Sequence, residues 1–465
     1  GQFYSINVDN SEPYNVYGGL QDNGVWMAKN NSFESPAWHE SGHNNWTKIM
    51  GGDGMQIEID NRNNNIVYTW LQFGNYYRLN LTNESRKNIK PRHKFGDSPL
   101  RFNWQTPILL SPHNQDILYL GSNKLHRSFD KGDNWQEISG DLTNGGIKGN
   151  VPYGTITSFD ESVFQFGKII IGSDDGKISI TENSGDSWKQ LSDDLPENLW
   201  VSRVIFSKQR KNRIYVSLNG YRFNDFTPYL FVSDDNGTSW KNISSNLPLS
   251  PINVIKEDFN KEEILYVGTD NGAFISLDFG KKWHPFTNSL NRVAVHDIAI
   301  HKESNELLLG THGRSIYKTK LNIFTDYLNN KVPENKITIV NIDDLIYRNS
   351  WGAISNRNQS VSLIYDKPQL DSRSFIQVEL FSELSDNFEF KILNKDKRVI
   401  NTGEIKLDKG FNRLQILPVA KKSLNQKQRK KLGLTLKKAD DGNVYFNKAK
   451  YIFYINNASK EFLVK

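Results

Sequence analysis

Short apolar runs recur along the first two thirds of the chain, each closing on small or polar residues. They are Val16-Tyr17-Gly18-Gly19, Val67-Tyr68-Thr69-Trp70, Leu118-Tyr119-Leu120-Gly121, Ile169-Ile170-Ile171-Gly172, Ile214-Tyr215-Val216-Ser217, Leu265-Tyr266-Val267-Gly268 and Leu307-Leu308-Leu309-Gly310. Their second positions are spaced by 51, 51, 51, 45, 51 and 42 residues. β-branched and aromatic residues bounded by Gly, Asn, Asp and Ser read as strands, and long amphipathic helical periods are almost absent. One repeat parses in full. Val204-Ile205-Phe206 is an inner strand, Ile214 to Leu218 the second, Tyr229 to Ser233 the third and Trp240 to Ser244 the outer one. Seven repeats of roughly 50 residues, each holding several short strands, predict an all-β chain with a seven-bladed β-propeller over residues 1–320.

A polar signature marks the last turn of four repeats. It runs Ser128-x-Asp130-x-Gly132-x-x-Trp135, Thr181-x-Asn183-x-Gly185-x-x-Trp188, Ser233-x-Asp235-x-Gly237-x-x-Trp240 and Ser276-x-Asp278-x-Gly280-x-x-Trp283. Hydroxyl and carboxylate oxygens can accept backbone N–H groups inside a tight turn. Glycine permits positive φ, and tryptophan offers a large body to the neighbouring repeat. The signature resembles the Asp-box of sialidases, two-propeller xyloglucanases and sortilin-type receptors, where its role is structural. Residues 41–46 resemble a degraded fifth copy.

Beyond residue 320 both patterns stop. Ile337 to Asn341, Val361 to Tyr365, Phe375 to Phe381, Phe388 to Leu393, Arg413 to Leu417, Tyr451 to Ile455 and Glu461 to Val464 alternate as strands. They predict a β-sandwich of immunoglobulin-like size over residues 335–465. Residues 321–334, with Pro333, read as a linker.

Composition narrows the chemistry. The 465 residues fit two domains, and with no Cys there is neither a disulfide nor a thiolate metal site. No apolar run reaches the length of a membrane span. The chain opens directly on a strand with no signal peptide at Gly1, as a mature form or a piece of a longer protein would. Net charge is +6, and residues 421–438 alone hold eight cations and no acid, which leaves −2 for the remainder. That segment reads as a solvated insertion, with polyanion binding as the sharper reading. Nucleic acid is not an expected partner.

In a propeller the loops that join second to third strands, and those that lead from one blade to the next, open on one face. Gln21, Asp22, Asp53, Arg101, Trp104, Tyr153, Arg203, Arg222, Asp225, Asp270, His296, Asp297, His312 and Arg314 are therefore the candidate ligand-binding residues. Asn23, Asp174, Asp175 and Asn271 are also favoured hairpin-turn residues. His312 and Arg314 are expected to bond Asp22 or Asp53 across the channel, or to hold an anionic group. Ca²⁺ held by Asp-rich loops is conceivable, but no EF-hand spacing exists, and no cofactor is expected.

Tyr17-Gly18-Gly19-Leu20-Gln21-Asp22-Asn23-Gly24, Gly51-Gly52-Asp53-Gly54, Arg101-Phe102-Asn103-Trp104-Gln105-Thr106-Pro107 and Gly310-Thr311-His312-Gly313-Arg314 occur in this order. Together they resemble the second half of bacterial exoproteins termed BNR-repeat glycosyl hydrolases or sortilin-like propellers. That resemblance covers the whole chain and implies a preceding propeller, a following sandwich and an extracellular or cell-surface home. The abundance of Asn and Lys is similar to Bacteroidetes proteins, and Tyr451 to Lys465 resembles the sorting sandwiches of type IX secretion. Two functions follow as expectations. The first is a secreted binding or scaffold protein that holds a peptide or glycan, in company with other surface or secreted proteins. The second is a glycoside hydrolase using two carboxylates, about 5–5.5 Å apart for retention or about 6.5–9.5 Å for inversion, with Asp22 and Asp53 as catalytic candidates and Asp225, Asp270 and Asp297 as further ones. A sialidase is disfavoured, because no Arg-Ile-Pro precedes the boxes.

Overall fold

A computed structural model of the chain describes residues 1–32, 45–149, 151–191, 193–286, 290, 292–331, 336–352, 375–435 and 437–465. The chain divides into two compact units. Gly1–Trp283 with Leu290–Lys320 forms the first, and His284–Ser289 with Leu321–Lys465 the second.

The first unit is built from consecutive small sheets whose strands follow one another in chain order. Six have four strands and the last has three among the described residues. Their leading strands are Phe3–Val8, Ile57–Ile59, Ile108–Leu110, Ile156–Glu161, Trp200–Phe206, Ile252–Glu257 and Val295–His301. The parsed repeat folds as Trp200–Phe206, Ile214–Asn219, Tyr229–Ser233 and Lys241–Asn242. Its outer strand is shorter than expected, since Trp240 belongs to the preceding turn. The apolar runs are the buried second strands, and three of their tyrosines are closely anchored by acids. Tyr119 Oη donates to Glu161 at 2.9 Å, Tyr17 to Asp9 at 3.0 Å and Tyr266 to Asp258 at 2.7 Å.

Side chains of the leading strands bond the backbone of the next sheet. Asn7 Nδ2 donates to Ile57 O at 2.7 Å, Gln56 Nε2 to Ile108 O at 2.7 Å and Thr157 Oγ1 to Val201 O at 2.6 Å. The same chemistry joins the last sheet to the first. Asp297 Oδ2 accepts from Ser5 Oγ at 2.6 Å and from the Ile6 N–H at 3.1 Å. Sheets 292 residues apart in sequence thereby become neighbours.

Each of the four signatures forms the same turn. Ser128 Oγ donates to Asp130 Oδ1 and accepts from the Gly132 N–H, both at 2.8 Å, while the Asn134 N–H donates to Asp130 Oδ1 at 2.8 Å. Asn183 serves equally well, because its Oδ1 accepts from Thr181 Oγ1 at 2.9 Å and the Ser187 N–H at 3.0 Å. The Ser233 and Ser276 turns repeat these bonds. Lys131 and Gly132 lie at φ 61° and 88°, the left-handed pair that closes the hairpin. Every Trp indole N–H reaches back to the preceding sheet: Trp135 to Ile89 O at 2.7 Å, Trp188 to Ile138 O at 3.0 Å, Trp240 to Leu191 O at 3.2 Å and Trp283 to Ile243 O at 2.7 Å. The turn is an inter-sheet staple. Residues 41–44 of the degraded copy lie outside the described residues.

The second unit contains a three-stranded sheet (Ile337–Ile342, Ile376–Ser382, Gly410–Ile416) and a four-stranded one (Asp386–Asn394, Val399–Leu407, Ala449–Ile455, Ala458–Val464). Both contribute to one apolar cluster around Leu380, Ile392, Phe446 and Phe453. The stretch read as a linker contains helix α1 (Asn322–Asn330). Its apolar residues are the reason: Phe324 packs edge-on to Phe411, and the Tyr327 ring lies tilted against Phe381 with centroids 4.4 Å apart. Pro333 and the expected strand at 361–365 lie outside the described residues. Helix α2 (Gln426–Lys431) falls in the basic segment, which is thus structured around a short helix.

Candidate functional site

The leading strands of the first unit enclose a channel of 1220 Å³. Trp104, Trp200, Tyr221, Arg222, Asp270, His296 and His312 line it where these strands begin, and Asp160, Lys208, Asp258 and Lys302 where they end. Between them stand Glu58, Arg203, Lys256 and Asp297.

Most of these charges are already committed. Asp160 accepts from the Phe206 N–H at 2.9 Å and from Lys208 Nζ at 2.8 Å. Asp297 is held by Ser5, Ile6 and, at 3.4 Å, Arg203 Nη2. Asp270 accepts from Asn253 Nδ2 at 2.8 Å. Two groups differ. Lys256 lines the channel with its side chain exposed to it, and its ammonium forms no ion pair among the described residues. Burial pulls its pKa down against the opposing pull of nearby Asp297 and Asp160, while Arg203 and Lys208 act in the same sense as burial. Glu58 has one hydrogen bond, from Gln56 Nε2 at 3.1 Å. Burial pushes its carboxyl up to about 7, against the pull of Gln56 and Lys256 and with help from Asp297 and Asp160. An ammonium outside any close ion pair and a carboxyl that titrates near neutrality therefore both line the channel.

Around the opening, Arg222 lies 3.9 Å over the Trp200 ring, a cation–π pair. His296 and His312 stack with centroids 4.6 Å apart. Burial and the neighbouring His312 lower His296 to about 4, and burial lowers His312 as well. Both rings are neutral at pH 7, so they offer hydrogen bonds and a flat surface, not positive charge for an anion.

Seven of the expected residues thus line the channel: Trp104, Arg203, Arg222, Asp270, His296, Asp297 and His312. The others do not. Asp53 is buried and its Oδ1 accepts the Asp22 N–H at 2.6 Å, which fixes the turn where Asp22 sits at φ 59°. Arg101 is tied to Asp141 at 2.6 Å and Gly154 O at 3.1 Å. Asp225 accepts from the Thr227 N–H and Tyr229 Oη, both at 2.9 Å. Gln21, Tyr153 and Arg314 are outside the lining, and Arg314 is exposed. The bond expected between His312 or Arg314 and Asp22 or Asp53 is absent among the described residues, because Asp53 is spent on its own turn. Asp174 is likewise structural, accepting from the Gly154 N–H at 3.0 Å and Thr155 Oγ1 at 2.6 Å. No cluster of metal-ligating side chains occurs among the described residues. Sequence reading missed Glu58, Lys256, Asp160 and Lys208. Their signal is a charge inside or just after the leading strand of a repeat, as in Ile57-Glu58-Ile59.

Residues 228–374 match the Sortilin-Vps10 family (sortilin, neurotensin receptor 3). No curated protein matches the chain. Among solved structures, the GH74 xyloglucanase of Xanthomonas campestris is similar at 17% identity and a TM-score of 0.52, over 69% of this chain and 52% of that one. The chain thus spans about half the length of that enzyme. GH74 of Niastella koreensis (12% identity, TM-score 0.49, 99% of this chain and 72% of that one) and YCF48 bound to D1 peptide (12%, 0.46, 68% and 92%) lie further off. No helix among the described residues is long and apolar enough to cross a membrane. The chain is a β-propeller protein of the Asp-box type, similar over residues 228–374 to the sortilin family.

Proposed function

We propose that this is a secreted or cell-surface binding protein whose channel grips a peptide or glycan chain. Its seven successive sheets are the blades of one propeller over residues 1–320, and the sheets of residues 335–465 are a sandwich of immunoglobulin-like size that links it to other surface or secreted proteins. A preceding propeller of the same polypeptide is part of this reading. Lys256 is the observation that carries it. Its ammonium opens on the channel with Asp297 and Glu58 nearby but no carboxylate in ion-pair contact among the described residues, which leaves its hydrogen bonds to a ligand group or water. Arg222 on Trp200, with neutral His296 and His312 beside them, supplies the flat and polar contacts an extended chain needs. The acids used in structural bonds, Asp53, Asp160 and Asp297, are poorly free to act as a hydrolytic pair.

A glycoside hydrolase is the second reading, favoured by Glu58 alone. A carboxyl raised to about 7 has the proton affinity of a general acid. Peptide and glycan arrays followed by turnover assays on the hits separate the two. Capture that weakens about tenfold or more in Lys256→Ala, without turnover, supports the binding reading. Turnover abolished by Glu58→Gln with capture intact selects the hydrolase. Hits indifferent to both substitutions place the ligand outside the channel and defeat both readings.

A further inference from the structure

Two basic runs distant in sequence meet on one surface of the second unit. Helix α2 is fixed at its start by a reciprocal pair: the Gln428 N–H donates to Asn425 Oδ1 at 2.9 Å, and the Asn425 N–H to Gln428 Oε1 at 2.8 Å. Leu434 is buried, and Leu424 and Leu432 pack on the same apolar cluster. The segment's apolar side is thereby spent inward, leaving Lys427, Lys430 and Lys431 exposed. The turn after strand Asp386–Asn394 docks on the far end of α2. Asn394 Nδ2 donates to Leu432 O at 3.3 Å, and Arg398 Nη1 to Lys431 O at 3.5 Å. This turn adds exposed Lys395, Lys397 and Arg398 against the single acid Asp396. Ion pairs of this unit among the described residues lie elsewhere, at Lys391–Glu389, Arg413–Glu379, Lys450–Glu461 and Lys465–Asp344.

We propose that this surface binds an acidic polysaccharide. A concentrated positive field without internal neutralisation attracts a flexible polyanion. The composition selects among polyanions. No aromatic side chain occurs in residues 395–398 or 421–438 to stack on bases, which disfavours single-stranded nucleic acid. The inward leucines leave no apolar face to enter a lipid interface. Lysine outnumbers arginine across the two runs, and its compact ammonium on a flexible stem suits anionic groups spread along a chain better than bidentate recognition of one group.

Heparin is the test ligand, with the full chain, at low and moderate salt, beside duplex DNA and phosphatidylserine vesicles. Heparin binding should be the tightest of the three and should fall steeply with salt. Lys427→Gln/Lys430→Gln/Lys431→Gln and, separately, Lys395→Gln/Lys397→Gln should each weaken it roughly tenfold or more. Melting temperatures should stay unchanged, since all five residues are exposed. The turn variant decides whether the structure's convergence matters, because a purely linear basic segment would not feel it. Absence of heparin binding at low salt, tighter binding of DNA or vesicles, or full affinity in the turn variant overturns the proposal.

Discussion

Single side chains in the channel have consequences that can be measured apart from any ligand. Glu58 has a folded-state pKa near 7, above its ordinary 4.5. The folded protein therefore holds this proton more tightly than the unfolded chain does. Below pH 4.5 the group is neutral in both states and costs nothing. Between 4.5 and 7 stability falls as pH rises, and above 7 the full penalty of an enclosed carboxylate remains. Glu58→Gln should flatten that stretch of the stability–pH curve and raise the melting temperature at pH 8. Parallel curves for the two proteins would mean that Glu58 titrates as an ordinary surface acid. Asp53 sits at the other extreme. Asp53→Ala removes the acceptor that holds the Asp22 N–H in a left-handed turn, and a loss of about 1–3 kcal/mol is expected, read by urea unfolding, with ligand capture retained. Weakened capture at full stability would return Asp53 to the site.

At the scale of elements, the Asp-box shows why some of the fold was plain in the sequence and some was not. All its turn-forming bonds fall within eight consecutive residues, so the chemistry repeats as a word. Asn183 defines what that word requires: an oxygen acceptor, with or without charge. Asp235→Asn should then cost little, whereas Asp235→Ala should cost about 0.5–1.5 kcal/mol by removing the acceptor of the exposed Ser239 N–H and of Ser233 Oγ. Equal losses would show that the charge, not the acceptor, is what matters. Hydrogen bonds from Ser239 and Ser233 hold Asp235 down to about 2 from its usual 3.8. That contribution is present above pH 4 and fades as pH falls toward 2, so the gap between wild type and Asp235→Ala should close in acid. The channel had no such word. Glu58, Arg203 and Lys256 are lone charges on different leading strands, and only the ring brings them together. Loop acids were conspicuous instead, and the carboxylates of Asp53 and Asp225 are occupied by their own turns. Helix α1 escaped because its three buried residues in nine, Ile323, Phe324 and Tyr327, make a faint period, held helical by contacts with Phe381 and Phe411.

For the whole molecule, the consequential bonds are those joining the last sheet to the first, which include Tyr14 Oη to Glu306 at 2.6 Å and the Gly313 N–H to Gly1 O at 3.0 Å beside the bonds of Asp297. Consecutive sheets are tethered by short connections, so a lost inter-sheet bond leaves them close at little entropic cost. Phe3–Val8 and Val295–His301 have no short tether, and their side-chain bonds run through Asp297. Asp160 makes a chemically similar bond, to the Phe206 N–H, between two sheets that follow directly in the chain. Removing either carboxylate strands buried donors and should cost about 2–4 kcal/mol. The distribution of the damage should differ. In Asp297→Ala the first strand can peel away alone, so amide exchange should accelerate at Phe3–Val8 and at its partner Asn15–Leu20, before global unfolding. In Asp160→Ala the loss should spread through the unit without singling out one strand. Hydrogen exchange resolved by peptide measures this directly. Unchanged protection of Phe3–Val8 in Asp297→Ala would place the closure of the ring in the apolar packing of Phe3, Ile6, Ala299 and Leu308 instead, where Ile6→Ala should then produce the same local opening.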